Sequence, residues 1–228
     1  RAPGSTRQIL LGHRANPLLH LPPGAADRVV FGVMGGAGAR TPLRVQRASH
    51  EIGREIAGGG DVILTGASPG LPDDAVRGAR SRGGLAIGIS PHESLDAHLA
   101  AGSPDDFDVL QFTRLPTALR DRNEPNYMGR EIDNIVRSDA IIVVGGRSGT
   151  LGELAIAIEQ QRPIGVLTRS GGIADVVKDI VQASTSAGKP PGAPVLYDSD
   201  PQRLVRRLRR ATIAFRAAGG PSGPLGDK

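Results

Sequence analysis

The chain has 228 residues, 39% of them hydrophobic, which is enough for one substantial buried core and too little for two full domains. It contains no cysteine, which excludes disulfide bonds, thiolate metal sites and cysteine nucleophiles. The net charge of +5 favours anionic partners, whereas an aromatic content of 3% argues against single-stranded nucleic acid held by base stacking.

Two kinds of sequence follow one another along the chain. Residues 1–27 hold four prolines among scattered Arg and His, which predicts an extended N-terminal arm. From residue 28, apolar strands alternate with helical stretches, as in parallel βαβ units with right-handed crossovers. Strands are predicted at 29–34, 62–65, 85–89, 109–112, 141–144, 163–167 and 195–197. Helices are predicted at 42–57, 72–82, 128–137, 151–159, 173–183 and 201–217, with a short helix or turn within 91–106. We therefore expect an α/β protein with one nucleotide-binding domain over 28–218 and a disordered tail over 219–228.

Three glycine-rich turns follow three of the predicted strands, at Gly35–Gly38, Gly66–Gly70 and Gly145–Gly149. The carboxyl ends of parallel strands share one edge of a sheet, so the three turns would line a single crevice. This makes Gly35, Gly36 and Gly66 candidate nucleotide-binding residues. The alternative is that these glycines merely close tight turns. Neither a complete Gly-x-Gly-x-x-Gly fingerprint nor a Gly-x-x-x-x-Gly-Lys-Ser/Thr loop is present, so ATP hydrolysis has no support.

The third turn is the most informative, because it lies between a buried strand and an apolar helix. Its glycines allow tight or left-handed backbone, and the amides at the start of the helix would converge on an anion without any metal. The candidate phosphate-binding residues are Gly145, Gly146, Arg147, Ser148, Gly149 and Thr150.

Thr150 and Glu153 permit two interpretations. Thr-x-x-Glu at the start of an apolar helix is a capping box, in which both side chains satisfy backbone amides. Alternatively, Glu153 is a carboxylate held in the crevice, acting as an acid, a base or a stabiliser of a cationic transition state. Arg130, on the preceding helix, is either a solvated surface arginine or a partner in that site.

Other functions find less support in the sequence. The five histidines lack metal-ligand spacing, so we expect no metal site, and no cofactor is implied. Ser68 and Ser148 lack a hydrolase triad signature. The arginine-rich stretch 203–210 suggests nucleic-acid binding, but a solvated amphipathic helix is the favoured alternative. No apolar run approaches the roughly 20 residues of a membrane span, and we expect a cytoplasmic protein without membrane partners.

The span from Met128 to Glu159 resembles the Lonely Guy (LOG) family, whose fingerprint is Pro-Gly-Gly-x-Gly-Thr-x-x-Glu preceded by an arginine-bearing helix. Gly149, Thr150 and Glu153 match the fingerprint, and Arg130 falls at the position of the family's catalytic arginine. Gly145 replaces the motif's proline and Arg147 its second glycine. These replacements look more like a sister branch that includes molybdenum cofactor carrier-like proteins, as does the later segment 171–175.

The resemblance implies a Rossmann-like, doubly wound, mainly parallel sheet with helices on both faces. It also implies hydrolysis of the N-glycosidic bond of a nucleoside 5′-monophosphate, with Arg130 and Glu153 as catalytic residues and the glycine loop holding the phosphate. The alternative is a non-catalytic carrier or sensor of a phosphorylated pterin or nucleotide. LOG-like proteins further imply a homo-oligomer, a dimer or tetramer, in which helices near the glycine loop pack across a two-fold axis.

Overall fold

The computed structural model describes residues 8–12, 14–22, 28–38, 41–114 and 124–221. Within these residues the chain forms one eight-stranded sheet in which every strand pair is parallel. The strands are β1 (Ile9–Leu11), β2 (Val30–Gly35), β3 (Val62–Thr65), β4 (Leu85–Ser90), β5 (Val109–Phe112), β6 (Ala140–Val144), β7 (Ile164–Leu167) and β8 (Val195–Asp198). The helices are α1 (Leu43–Gly58), α2 (Leu71–Arg80), α3 (Leu95–Ala100), α4 (Tyr127–Val136), α5 (Ser148–Glu159), α6 (Ile173–Ser186) and α7 (Pro201–Ala217).

The strand order is β1-β5-β4-β3-β2-β6-β7-β8, which confirms the doubly wound α/β prediction. From β2 the chain builds the sheet outward in one direction through β3, β4 and β5. It then returns to the other side of β2 and builds outward through β6, β7 and β8. The βα loops therefore diverge at the carboxyl ends of β2 and β6, and this switch point is where open α/β sheets bind ligands.

The central strands are buried on both faces, which explains their continuous β-branched composition. Along β6, Ile142 and Val144 pack on one face against residues of α1, α2 and α7. Ile141 and Val143 pack on the other face against residues of α4, α5 and α6. This alternation is the two-residue period of a strand. Because helices cover both faces of the sheet, a site can form at the carboxyl ends of the strands.

Helices α1 and α2 touch backbone to backbone. A Cβ atom on Gly53 would lie 1.8 Å from the carbonyl oxygen of Ala75, and one on Gly78 would lie 1.9 Å from the carbonyl oxygen of His50. Real Cβ atoms do not approach backbone oxygens so closely, so these two positions accept only glycine without moving a helix. The contact holds the β2–α1 and β3–α2 connections side by side.

The N-terminal segment differs from the predicted extended arm. Residues Ile9–Leu11 form β1, which pairs in parallel with β5 at the edge of the sheet. Leu18 and Leu21 are buried against the strands beneath them. The prediction was wrong for these residues because the proline-rich composition hid a three-residue apolar strand, which β5 supplies with backbone partners. Residues 1–7, 13 and 23–27, and the predicted tail from residue 222 onward, lie outside the described residues.

Helix α7 is fastened to the amino end of the sheet by two buried aspartates. Asp61, before β3, accepts a hydrogen bond from the Val29 amide (3.1 Å) and one from Arg209 Nε (2.7 Å). Asp139, before β6, accepts one from the Val30 amide (2.7 Å) and pairs with Arg216. Both carboxylates are 1% exposed and thus hardly solvated by water, so the arginines compensate their negative charges instead.

Other arginines of α7 also have intramolecular partners. Arg203 and Arg207 both pair with Asp198, and Arg206 pairs with Glu55. The helix is therefore less available to an external polyanion than its composition indicates. No helix in the described part of the chain has both the length and the apolarity needed to cross a bilayer.

Candidate functional site

A cavity of about 810 Å³ opens at the carboxyl ends of β2, β3 and β6, beneath α4 and beside the start of α5. We call it the first cavity. It lies at the switch point of the sheet, where the three glycine-rich turns were expected to meet. Its lining includes these predicted site residues: Gly35, Gly66, Arg130, Arg147, Ser148, Gly149, Thr150 and Glu153.

Glu153 is the most distinctive group in the first cavity. Its residue is 4% exposed, and its Oε1 accepts hydrogen bonds from Arg130 Nη1 (3.2 Å) and Asn134 Nδ2 (3.0 Å). Burial raises the pKa of Glu153 to about 7, although the Arg130 charge and the Asn134 hydrogen bond both lower it. A carboxyl group with a pKa near neutrality can both accept and release a proton under physiological conditions.

The capping-box interpretation of Thr150 and Glu153 was wrong. Helix α5 begins at Ser148, three residues earlier than predicted, and its N-cap is Arg147, which makes no side-chain capping bond. Thr150 therefore lies inside the first turn, and Glu153 points to α4 rather than back to the helix start. The threonine instead packs against the loop, since a Cβ on Gly146 would lie 2.5 Å from its side chain.

Arg130 is not a solvated surface residue. Its side chain is 14% exposed and lies across Gly66, where a Cβ atom would stand 2.0 Å from Nη1. Gly66 thus leaves the space that the guanidinium occupies. Arg130 Nε is buried and has no hydrogen-bond partner among the described residues, which leaves it available to a group entering the cavity.

The glycine loop after β6 is held by the start of α6. The carbonyl oxygens of Gly145 and Gly146 accept hydrogen bonds from the amides of Ala174 (2.9 Å) and Ile173 (3.1 Å). In a trans peptide the N–H points opposite to the C=O, so the amides of Gly146 and Arg147 point away from α6. Within the described residues these two amides have no acceptor, and they are oriented before any ligand arrives.

The start of α5 adds further donors. With no side-chain cap, the first-turn amides of Ser148, Gly149 and Thr150 have no capping acceptor from the N-cap residue, at the positive end of the helix dipole. Glu131 lies beside them, since a Cβ on Gly149 would stand 3.0 Å from its Oε1. Burial raises the pKa of Glu131, and Arg130 opposes this effect.

The sequence did not indicate Asn134 or Glu131 as site residues. It also did not show that Arg130 and Asn134 act together from one face of α4. Asn134 follows Arg130 by four residues on α4, so both side chains project toward Glu153. That spacing was the signal available in the sequence. Asn134 is fully buried, and its Oδ1 has no hydrogen-bond partner in the described structure.

The remaining predicted residues, Gly36, Gly145 and Gly146, line a second cavity of about 490 Å³ on the far side of the Arg147 side chain. Arg147 lines both cavities, and its Nη2 donates to the carbonyl oxygen of Ala37 (2.6 Å), bridging the first and third turns. Gly35 has a steric role, because its Cβ would lie 2.6 Å from the Val144 carbonyl oxygen. Among the described residues, no group of three or more His, Asp or Glu side chains is placed to hold a metal ion.

Comparison with known proteins agrees with this architecture. The family model described as the SLOG cluster4 family matches residues 28–205. An uncharacterized protein of Archaeoglobus fulgidus is 30% identical over 122 residues, which cover 53% of this chain and 69% of that protein.

Two of the similar solved structures are of proteins that handle the molybdenum cofactor. The molybdenum cofactor carrier protein of Chlamydomonas reinhardtii is 26% identical with a TM-score of 0.61, covering 82% of this chain and 99% of that one. The molybdenum cofactor binding protein of Rippkaea orientalis is 27% identical with a TM-score of 0.61, covering 80% and 96%. The chain belongs to the SLOG cluster4 family, a LOG-like Rossmann family near the molybdenum cofactor carrier branch.

Proposed function

We propose that the first cavity binds a nucleoside 5′-monophosphate and hydrolyses its N-glycosidic bond, releasing the free base and ribose 5-phosphate. The observation that carries this proposal is the buried Glu153 carboxyl group, held by Arg130 and Asn134 beside loop amides that have no acceptor among the described residues. A carboxylate next to the anomeric carbon stabilises the positive charge that develops as the C–N bond breaks.

The phosphate is held by the glycine loop and by the first turn of α5. The amides of Gly146, Ser148, Gly149 and Thr150 supply donors, and the helix dipole favours the negative charge. This anchor fixes the distance from the phosphate to the ribose, so the anomeric carbon comes to rest near Glu153. Arg130 orients the carboxylate and the sugar hydroxyls.

Glu153 acts on the water molecule that attacks the anomeric carbon. The hydrogen bonds from Arg130 and Asn134 both go to Oε1, and Oε2 has no partner among the described residues. In the proposed step Oε2 accepts a proton from water, the water oxygen bonds to C1′, and the electron pair of the C1′–N bond leaves with the base. The departing base takes up a proton from solvent, and Glu153 releases its proton to solvent before the next turnover, so the reaction balances.

The test is a chromatographic assay for free base with AMP, GMP, CMP and UMP. We expect release from at least one nucleotide, and a loss of about 100-fold or more in Glu153→Gln. Glu51→Gln is the matched control, because Glu51 is a half-buried carboxylate on α1 outside the first cavity, and it should retain the activity. If correctly folded protein releases no base from any of the four nucleotides, the hydrolase proposal is wrong.

A second candidate is a non-catalytic carrier of a phosphorylated pterin or nucleotide. It is favoured by Arg147, which stands where the LOG fingerprint has glycine and bridges the crevice to Ala37, and by the carrier and binding functions of the two structures named above. A carrier should retain a ligand in native mass spectrometry and bind it equally well as Glu153→Ala. A hydrolase should lose turnover in that variant.

We also propose that the chain forms a homodimer through α4 and α5. Met128, Ile132 and Leu151 are 76%, 50% and 39% exposed on these adjacent helices, next to the first cavity. Packing across a two-fold axis would remove this apolar surface from water and enclose the crevice.

A further inference from the structure

The second cavity has no role in the proposed reaction, yet it adjoins the same glycine loop. It lies between the loops that follow β2, β6 and β7, and the Arg147 side chain separates it from the first cavity. A ligand anchored on the loop can therefore extend past Arg147 from one cavity into the other.

Gly36 borders a space that no described residue fills. Most glycines around the loop are required by backbone geometry: Gly145, Gly146 and Gly172 have positive φ, and a Cβ on Gly172 would lie 2.2 Å from the Gly146 carbonyl oxygen. Gly36 has no positive φ, and its Cβ would meet nothing closer than the Gly146 nitrogen at 3.7 Å. Neither backbone strain nor a close contact with the described residues explains glycine at position 36.

That same space is within reach of hydrogen-bond donors. The Gly146 amide faces away from α6 and has no acceptor among the described residues. The guanidinium of Arg147 lines the cavity from the other side. A ligand oxygen above Gly36 can therefore receive a backbone hydrogen bond and a charge-assisted one.

The two cavities differ in charge. The lining of the first cavity pairs two arginines with two carboxylates, Glu131 and Glu153. The described lining of the second cavity contains Arg147 and no carboxylate. Asp175 accepts a hydrogen bond from the Gly171 amide at its rim (3.2 Å) but is exposed to solvent. An added negative charge is thus better accommodated in the second cavity than in the first.

We infer that the second cavity binds a second anionic group of the ligand, so that the crevice accepts a nucleoside monophosphate but prefers a nucleotide carrying a 5′-diphosphate. With a 5′-diphosphate, the first phosphate keeps the amides of Ser148, Gly149 and Thr150. The second phosphate extends past Arg147 and takes the Gly146 amide, which a monophosphate would use itself. This inference rests on the proposed nucleotide site and refines its ligand class.

The test compares ADP with AMP by titration calorimetry without divalent metal, in Glu153→Gln protein so that no turnover occurs. We expect ADP to bind about tenfold more tightly than AMP, since one added charge-assisted contact is worth about that factor. Gly171 supplies a matched pair of variants. It lines the second cavity, its Cβ would meet no atom within 4 Å, and Asn and Asp both tolerate its positive φ. Gly171→Asp should reduce the preference for ADP over AMP, whereas the isosteric Gly171→Asn should keep it.

The outcomes separate this inference from the proposed hydrolase. Equal affinity for ADP and AMP, or equal ADP preference in Gly171→Asp and Gly171→Asn, overturns the second anion site while leaving base release from AMP untouched. A charge-sensitive ADP preference supports the second site even in a protein that releases no base from AMP.

Discussion

Arg130 Nη1 lies 3.2 Å from Glu153 Oε1 and at the same time fills the space above Gly66. One guanidinium thus joins the loop after β3, helix α4 and helix α5. Its position depends on the absence of a single methyl group at residue 66, and that dependence can be tested without changing any charge.

Gly66→Ala should displace Arg130 from Glu153, because the new Cβ would stand 2.0 Å from Nη1. Under the proposed mechanism we expect kcat/KM for nucleotide hydrolysis to fall by about 10- to 100-fold, the usual effect of misplacing a catalytic group by an ångström. Gly12→Ala is the control, since a Cβ there meets no atom within 4 Å. Unchanged kcat/KM in Gly66→Ala would show that the position of Arg130 is not required.

The Glu153 carboxyl group should make stability fall as pH rises. Its pKa is raised from 4.5 to about 7 in the folded chain, so between these values the native state holds a proton that the unfolded state has lost. The free energy of unfolding therefore declines through this window and levels off above it, by up to roughly 3 kcal/mol in total. Glu153→Gln lacks this titration. The measurement is urea denaturation of both proteins at several pH values. As pH rises, the unfolding free energy of the wild type should fall relative to that of Glu153→Gln. A difference between the two proteins that does not change with pH would contradict the raised pKa.

Asn134→Leu should raise the pKa of Glu153 further, because it removes the hydrogen bond that stabilises the carboxylate. If Glu153 is the general base, kcat/KM rises with pH through its pKa, and the midpoint of that rise should move to higher pH in the variant. The pH profile distinguishes this effect from simple loss of packing, which would lower the rate at every pH. An unmoved midpoint would rule out Asn134 as the residue that tunes Glu153.

The ion pair between Arg209 of α7 and Asp61 should contribute to the free energy of unfolding. Arg209→Ala leaves the Asp61 carboxylate, 1% exposed, with the Val29 amide as its remaining recorded hydrogen-bond donor. We expect a loss of roughly 2 kcal/mol in the free energy of unfolding, less than for a fully buried pair because Arg209 itself is 38% exposed. Arg210→Ala, one residue along and exposed, should change stability by less than about 0.5 kcal/mol. Equal effects of the two substitutions would contradict a specific role for the Asp61 contact.

The proposed dimer predicts that a charge on α4 separates the subunits. Ile132→Glu should shift the molecular mass in solution from dimer to monomer, measured by size-exclusion chromatography with light scattering. Leu43→Glu is the matched control, because Leu43 is 67% exposed on α1, away from the α4–α5 surface. A wild-type protein that is already monomeric at micromolar concentration would contradict the proposal.

The parallel sheet could be predicted from the sequence because its central strands are continuous β-branched runs. Such runs are typical of strands covered by helices on both faces of a sheet. The prediction failed at β1, whose three residues become a strand because the edge of β5 provides their partners. Such a strand is defined by a neighbour about 100 residues away, and local pattern carries little trace of it.

Within the site, the glycine turns could be predicted from spacing and the role of Arg130 from the resemblance to the LOG fingerprint, whereas the surroundings of Glu153 could not be predicted. Thr-x-x-Glu fits a capping box and a buried carboxylate equally well, and the choice depends on whether the helix begins at residue 148 or 151. Asn134 escaped notice because a lone asparagine in a helix is ordinarily exposed, and its burial follows from the packing of α4 on α5.

The backbone contact of α1 with α2, made at Gly53 and at Gly78, has a mechanical consequence for the crevice. Two helices that meet through backbone atoms resist sliding or tilting independently, and the Leu71 amide also donates to the Gly36 carbonyl oxygen, so the described residues after β2 and β3 are held together. We therefore expect adjustment to ligands of different size on the opposite wall, where α4 contacts Glu153 through the side chains of Arg130 and Asn134. The crevice is thus bounded on one side by helices in backbone contact and on the other by a helix that reaches it through side chains.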